Sequence, residues 1–207
     1  MRYLFIDTSS SFINIAIIEN DNIVFNYHEK VDKDMSNKII PIIDKGFQNC
    51  TFELKDINKI FVVNGPGSFT GVRIGVTVAK TIAWSLDIDI IPISSLQFLA
   101  TTPSTKKYLV PMIDARRGNV FAGIYDQELN NIFSDQLISY EQLIKKLNDN
   151  YEQISYDFDE IVVPNCNIIR IIHKHLNDSP SNPHLLNPNY LKLTEAEEKL
   201  NDKTNNQ

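Results

Sequence analysis

Residues Tyr108–Asn119 read "YLVPMIDARRGN", and the chain opens on the same arrangement, with "RYLFIDTSSS" at Arg2–Ser11. In each stretch an apolar run ends on an aspartate that starts a polar turn, at Asp7 and again at Asp114, 107 residues later. The segments after each aspartate repeat as well. Phe12–Ile18 and Ile23–Tyr27, joined by "ENDN", predict two further strands; Asn119–Tyr125 and Ile132–Ile138, joined by "DQELNN", predict their counterparts. The first half continues with a helix over Met35–Asn49, a buried strand over Lys59–Val63 and a helix over Phe69–Ser85. The second continues with a helix over Tyr140–Leu147, a strand over Glu160–Val163 and a helix over Asn167–Leu176. Ser36 is the expected N-cap of the first helix, with a bend at Pro41. A strand over Ile88–Ile93 and a short helix over Ser94–Ala100 close the first half. A duplicated β-β-β-α-β-α unit predicts an α/β fold of two lobes facing a cleft, in place of one irregular domain.

Beyond Leu176 the pattern gives way to "NDSPSNPHLLNPNYLKL", which is too rich in Pro and Asn to continue it. The second lobe therefore reads as truncated. The expected division is a first lobe at 1–103, a smaller second lobe at 104–193 and a polar tail at 194–207.

Four of the seven glycines fall within "NGPGSFTGVRIGVTV", Asn64–Val78. A P-loop needs Gly-Lys-Ser/Thr in register and a dinucleotide fingerprint needs a third glycine at Thr70; neither is present. Gly71, Gly75 and Ala79 recur every fourth residue and form a bare stripe on the helix. Glycine costs ~1 kcal/mol against alanine inside a helix, so the stripe calls for a close neighbour. Three readings stand: packing within the subunit, a helix of another chain, or an anion at the helix start beside Ser68.

The net charge of −6, with scattered basic residues, is poorly suited to direct nucleic-acid binding, where phosphate contacts dominate affinity. Cys50 and Cys166 have no metal-ligand spacing and fit a reducing compartment. No apolar run has the ~20 residues that span a bilayer, and "MRYLFIDTSS" is no signal peptide. The expectation is a cytoplasmic protein with no membrane contact.

The segments "IDTSSSFINIAI", "GPGSFTGVRIGVTVAK", "SSLQFLA", "IDARRGNVFAGIYD" and "NPNYLKLTEAEEKL" resemble the TsaB family of bacterial tRNA threonylcarbamoyladenosine biosynthesis proteins. Wider relatives are glycoprotease-like proteins and the actin, Hsp70 and sugar-kinase ATPases. The resemblance implies an actin-like ATPase (ribonuclease H-like) fold. It also implies a scaffold role: binding and activating TsaD, the catalytic paralogue, in forming N6-threonylcarbamoyladenosine at position 37 of tRNAs reading codons that begin with A. TsaE, a small ATPase, would join the pair, and tRNA would be reached only through the complex. The family packs its first two helices on TsaD, which implies Ile39, Ile43, Phe47, Gly71, Gly75 and Val78 as interface residues. Such an apolar face, left empty, would drive homodimers. The family's His-Ser-Glu-like opening of the first helix is replaced by "DMSNKII", which keeps only Ser36.

The residues alone point to no chemistry. His28, His173, His175 and His184 form no H-x-x-x-H pair, and no serine occupies a nucleophile elbow. Metal ligands, catalytic residues and cofactors are therefore not expected. Asp7, Thr8 and Ser9 either cap their own turn or preserve a vestigial nucleotide or anion site. The rival functions are a stand-alone peptidase and a small-molecule kinase of the same superfamily.

Overall fold

The computed structural model of the chain describes residues 1–31 and 34–191. The expected polar tail, with Lys192 and Leu193 before it, lies outside the described residues.

Two sheets carry the two halves. In the first lobe β1 (Arg2–Asp7), β2 (Phe12–Glu19) and β3 (Asn22–Lys30) form an antiparallel meander, and β4 (Lys59–Gly65) and β5 (Asp89–Ser94) extend it in parallel. The strand order is β3-β2-β1-β4-β5, with α1 (Met35–Gln48) and α2 (Phe69–Leu86) as the crossovers. The second lobe repeats this with β6 (Tyr108–Asp114), β7 (Asn119–Asp126) and β8 (Asn131–Ser139) antiparallel and β9 (Tyr151–Ile154) parallel to β6. Its order, β8-β7-β6-β9, has no counterpart of β5 among the described residues. The short helices α3 (Ser95–Leu99) and α4 (Tyr140–Ile144) and the last helix α5 (Ile168–His175) complete the described elements.

Strand alternation sorts the cores, because successive side chains point to opposite faces. Leu4 and Ile6 of β1 pack under α1 and α2 with Ile39, Ile43 and Val76. Tyr3 and Phe5 face the other way and share a core with Phe61, α3, Leu109, Tyr125, Ile154 and Ile171, so one apolar layer joins the lobes. A third core of Val110, Met112, Val120 and Leu143 belongs to the second lobe alone.

Three expectations need correction. The strand expected over Glu160–Val163 is absent; Glu160 has φ 62°, and Val162 makes one bridge, to Ile154 of β9. Pairing with β6 makes the polar stretch Tyr151–Ile154 the strand instead. The helix expected to reach Leu147 stops at Ile144, where Lys146 and Leu147 close i→i−3 turns onto Leu143 and Ile144. Ser36 does not cap α1: the N-cap position falls on Asp34, whose φ is 61° and whose side chain makes no capping bond.

Past α5 the chain returns to the first lobe. Ser181 N donates to Ile90 O, Asn189 N donates to Asn64 O, and Lys80 Nζ donates to Leu186 O at 2.7 Å. Leu186 is buried with the α1–α2 core. This strap (181–191) packs in space on the first lobe, although the division at residue 104 assigns it by sequence to the second.

Candidate functional site

The two repeated turns are built alike. Ser9 N donates to Asp7 Oδ1 and Arg116 N donates to Asp114 Oδ1, each at 2.8 Å, so each strand-end aspartate caps its own turn. The first turn is then riveted to the glycine-rich segment. Thr8 Oγ1 donates to Gly71 O at 2.7 Å, and Ser68 N donates to Ser9 O at 2.7 Å. A Cβ on Gly71 would collide with the Thr8 carbonyl, one on Gly75 with Thr8 Oγ1, and one on Gly67 with the Ser9 carbonyl. The bare stripe is thus filled by the chain's own β1–β2 turn. Gly71 and Gly75 are buried inside the subunit, which corrects their expected place in a partner interface.

The donors around the turn are in part already engaged. The amides of Ser9, Phe12, Ser68 and Gly71 already donate to Asp7, Ser10, Ser9 and Ser68 Oγ respectively. Thr8 points away from the cleft toward α2, so of the expected anion residues only Asp7 and Ser9 line the cleft. That cleft, about 630 Å³ between the lobes, carries Asp7, Asp114 and Asp157, with Arg116 the one lysine or arginine lining it among the described residues. No set of three or more His, Cys, Asp or Glu among the described residues could hold a metal ion. Burial, with no cation beside it, raises the Asp7 carboxyl above the usual carboxylate range. The nearby Tyr156 hydroxyl is raised for the same reason, and the Cys166 thiol is pushed up to about 12.

The histidines act as struts. His173 Nε2 lies 2.9 Å from Asp21 Oδ1, and His175 lies between Asp178 Oδ2 at 2.7 Å and Gln97 Oε1 at 2.6 Å. They tie α5 to the first lobe.

On the outer face of α1 and α2 the expected interface residues separate. Ile39 and Ile43 are buried in the core, whereas Phe47 and Val78 are half-buried beside it. The accessible large apolar groups are Ile40 on α1 and Phe69, Trp84 and Leu86 on α2, at 53%, 44%, 65% and 38% exposure. Ile40, Phe47 and Leu86 edge a groove of about 500 Å³ whose floor includes Ile43, Phe52 and Ile82. Ile40 was legible in principle: Ile40, Ile43 and Phe47 have i, i+3, i+7 spacing beside the core stripe of Ile39 and Ile42. Trp84 and Leu86 carry no such signal beyond being large and apolar near a helix end.

A family model described as tRNA N6-adenosine threonylcarbamoyltransferase matches residues 22–197. The tRNA threonylcarbamoyladenosine biosynthesis protein TsaB of Bacillus subtilis (strain 168) is 34% identical, covering 96% of this chain and 97% of that one. The protein of the same name from Buchnera aphidicola subsp. Schizaphis graminum (strain Sg) is 30% identical over 73% of each chain. By contrast, a tRNA N6-adenosine threonylcarbamoyltransferase from Persephonella marina (strain DSM 14350 / EX-H1) is 30% identical over 34% of this chain and 21% of its own. In structure the chain is similar to a Pseudomonas aeruginosa protein described as having similarity to peptidase YEAZ, with TM-score 0.79 and 19% identity. The match covers 92% of this chain and 99% of that one. That likeness shows the two-lobed, actin-like fold. Matched by the transferase-described family model over most of its length, and end to end by the Bacillus subtilis protein while covering only 21% of the transferase itself, the chain belongs to the TsaB family of tRNA threonylcarbamoyladenosine biosynthesis proteins.

Proposed function

We propose that this chain serves tRNA threonylcarbamoyladenosine biosynthesis as a non-catalytic subunit that binds and activates TsaD. The observation that carries the reading is the apolar groove between α1 and α2, with Ile40 and Leu86 left in solvent at its edge. Large apolar groups gathered in one patch mark an association surface more often than chance exposure does. Engagement of the turn amides and the carboxylate-lined cleft support a role without phosphoryl chemistry of its own. TsaE would join this pair, tRNA would be reached through TsaD, and the same groove would pair two copies when TsaD is absent.

Co-purification with TsaD of the same organism tests this directly. Wild type is expected to form a stable heterodimer, and the double variant Ile40→Asp, Leu86→Asp to lose it while retaining its circular dichroism and melting temperature. A double variant that binds TsaD as well as wild type would remove this face from the interface. Wild type that ignores TsaD would overturn the subunit reading itself.

A further inference from the structure

Asp7, Asn14 and His28 stand directly opposite one another on β1, β2 and β3, so one row of polar side chains crosses the sheet at its cleft end. The rows before it on the same face are apolar at Tyr3 and Phe5, where the lobes share their core. Asn14 is 6% exposed, lines the cleft, and its Oδ1 has no hydrogen-bond partner. Buried polar atoms are almost always paired, so an orphan acceptor marks a missing donor. Its cross-strand neighbour is a second acceptor: Asp7 Oδ1 is engaged by Ser9 N, and no cation stands among the causes acting on that carboxyl. Tyr156 and Cys166 sit close enough to feel Asp7, and all three acids are shifted in the sense that an added positive charge would reverse. Across the cleft, Asp114 and Asp157 add two further carboxylates, with Arg116 the one lining lysine or arginine among the described residues.

The remaining walls combine apolar and aromatic groups with the polar side chains of Ser10, Ser11, Ser68, Thr70 and Ser95. Phe12 stacks on His28 with ring centroids 4.8 Å apart and leans on Tyr156 at 4.9 Å, while Phe98, Leu99 and Phe121 line the second side. A volume of about 630 Å³ is that of a small-molecule site. An ammonium group carries three donors and no acceptor, which answers the Asn14 and Asp7 oxygens, whereas a phosphate beside those two oxygens would bring only further acceptors. We propose that the inter-lobe cleft binds a small primary ammonium compound with an apolar or aromatic arm, its nitrogen directed toward Asn14 and Asp7. This goes beyond the subunit role and does not depend on it.

The test is NMR titration of the full chain with 2-phenylethylamine, its neutral analogue 2-phenylethanol, magnesium ion alone, and magnesium-ATP. The amine is expected to bind, with amide shifts confined to Ser9–Asn14 and Asp114–Arg116, and the alcohol at least tenfold more weakly. Asn14→Leu is expected to hold or raise the melting temperature, since it removes an orphan polar atom, and to weaken the amine at least tenfold. Saturable binding of magnesium or magnesium-ATP at these residues would overturn the proposal. So would equal affinity for amine and alcohol, absence of amine binding, or full amine affinity in the Asn14→Leu protein.

Discussion

Gly71 and Gly75 occupy equivalent places on one stripe but face different atoms, and that difference sets what each tolerates. A methyl group at Gly71 meets the backbone carbonyl of Thr8, which is fixed by the strand end, whereas at Gly75 it meets a side-chain hydroxyl. Gly→Ala in a helix interior favours folding by ~1 kcal/mol, and overpacking a tight contact costs about 1–3 kcal/mol. Gly71→Ala is therefore expected to lose about 2 kcal/mol net in urea denaturation, and Gly75→Ala about half that or less. Equal stability for Gly71→Ala and wild type would mean that the β1–β2 turn yields. Asp7 invites a second substitution. Burial raises its pKa in the folded state, so it favours the fold while protonated and loses that contribution as pH rises through its folded value. Asp7→Asn keeps the oxygen that accepts from Ser9 N and removes the charge. Its melting temperature should exceed that of wild type near neutral pH, and the difference should vanish in acid below the ordinary carboxylate range. A difference that grows in acid would reverse the assigned sign.

Among the elements, those with local signals were legible. The Asp7 and Asp114 turns close the same hydrogen bond, so the repeat read from two aspartates extends to single atoms. The helix over Phe69–Ser85 agrees with α2 because Ser68 supplies a side-chain cap, its Oγ accepting from Gly71 N. What the glycine stripe faces was not legible: filling it takes a turn 63 residues away, a contact with no local signature. β9 was missed for a related reason. "YEQI" has no apolar alternation, and its strand character comes from pairing with β6. The strap past α5 was read only as the end of the repeat, which left unseen that Leu186 would enter the α1–α2 core. Leu186→Ala should cost about 2–5 kcal/mol, the usual range for a buried leucine. It should also make the chain cleavable after residue 180 under limited proteolysis while α5 survives. A variant as resistant as wild type would show that Lys80 and the Asn64–Asn189 bond hold the strap without its apolar anchor.

At the scale of the molecule, a lobe-by-lobe reading of the repeat would suggest two bodies free to close on a ligand. The packing opposes this. Tyr3, Phe5 and Phe61 of the first lobe share one core with Leu109, Tyr125, Ile154 and Ile171 of the second. Polar ties reinforce it: Ser94 Oγ donates to Asp135, and Arg170 donates to the carbonyls of Thr101 and Gln127. A shared core makes neither lobe stable without the other, so unfolding should be a single cooperative step. Two probes report from opposite ends. Trp84, the only tryptophan, lies on α2, 5.5 Å from the ring of His184. Cys166, in the second lobe, has a thiol raised to about 12 and is expected to resist alkylation at pH 8 until the fold opens. Trp84 fluorescence and Cys166 labelling should therefore show the same urea midpoint, and Ile171→Ala should lower both together by the same amount. If Cys166 becomes reactive at a urea concentration where Trp84 is still native, the lobes unfold independently and the common layer does not couple them. Coincident midpoints would mean that the cleft has walls fixed by one core, so a ligand or partner meets a preformed surface and gains no lobe closure from binding.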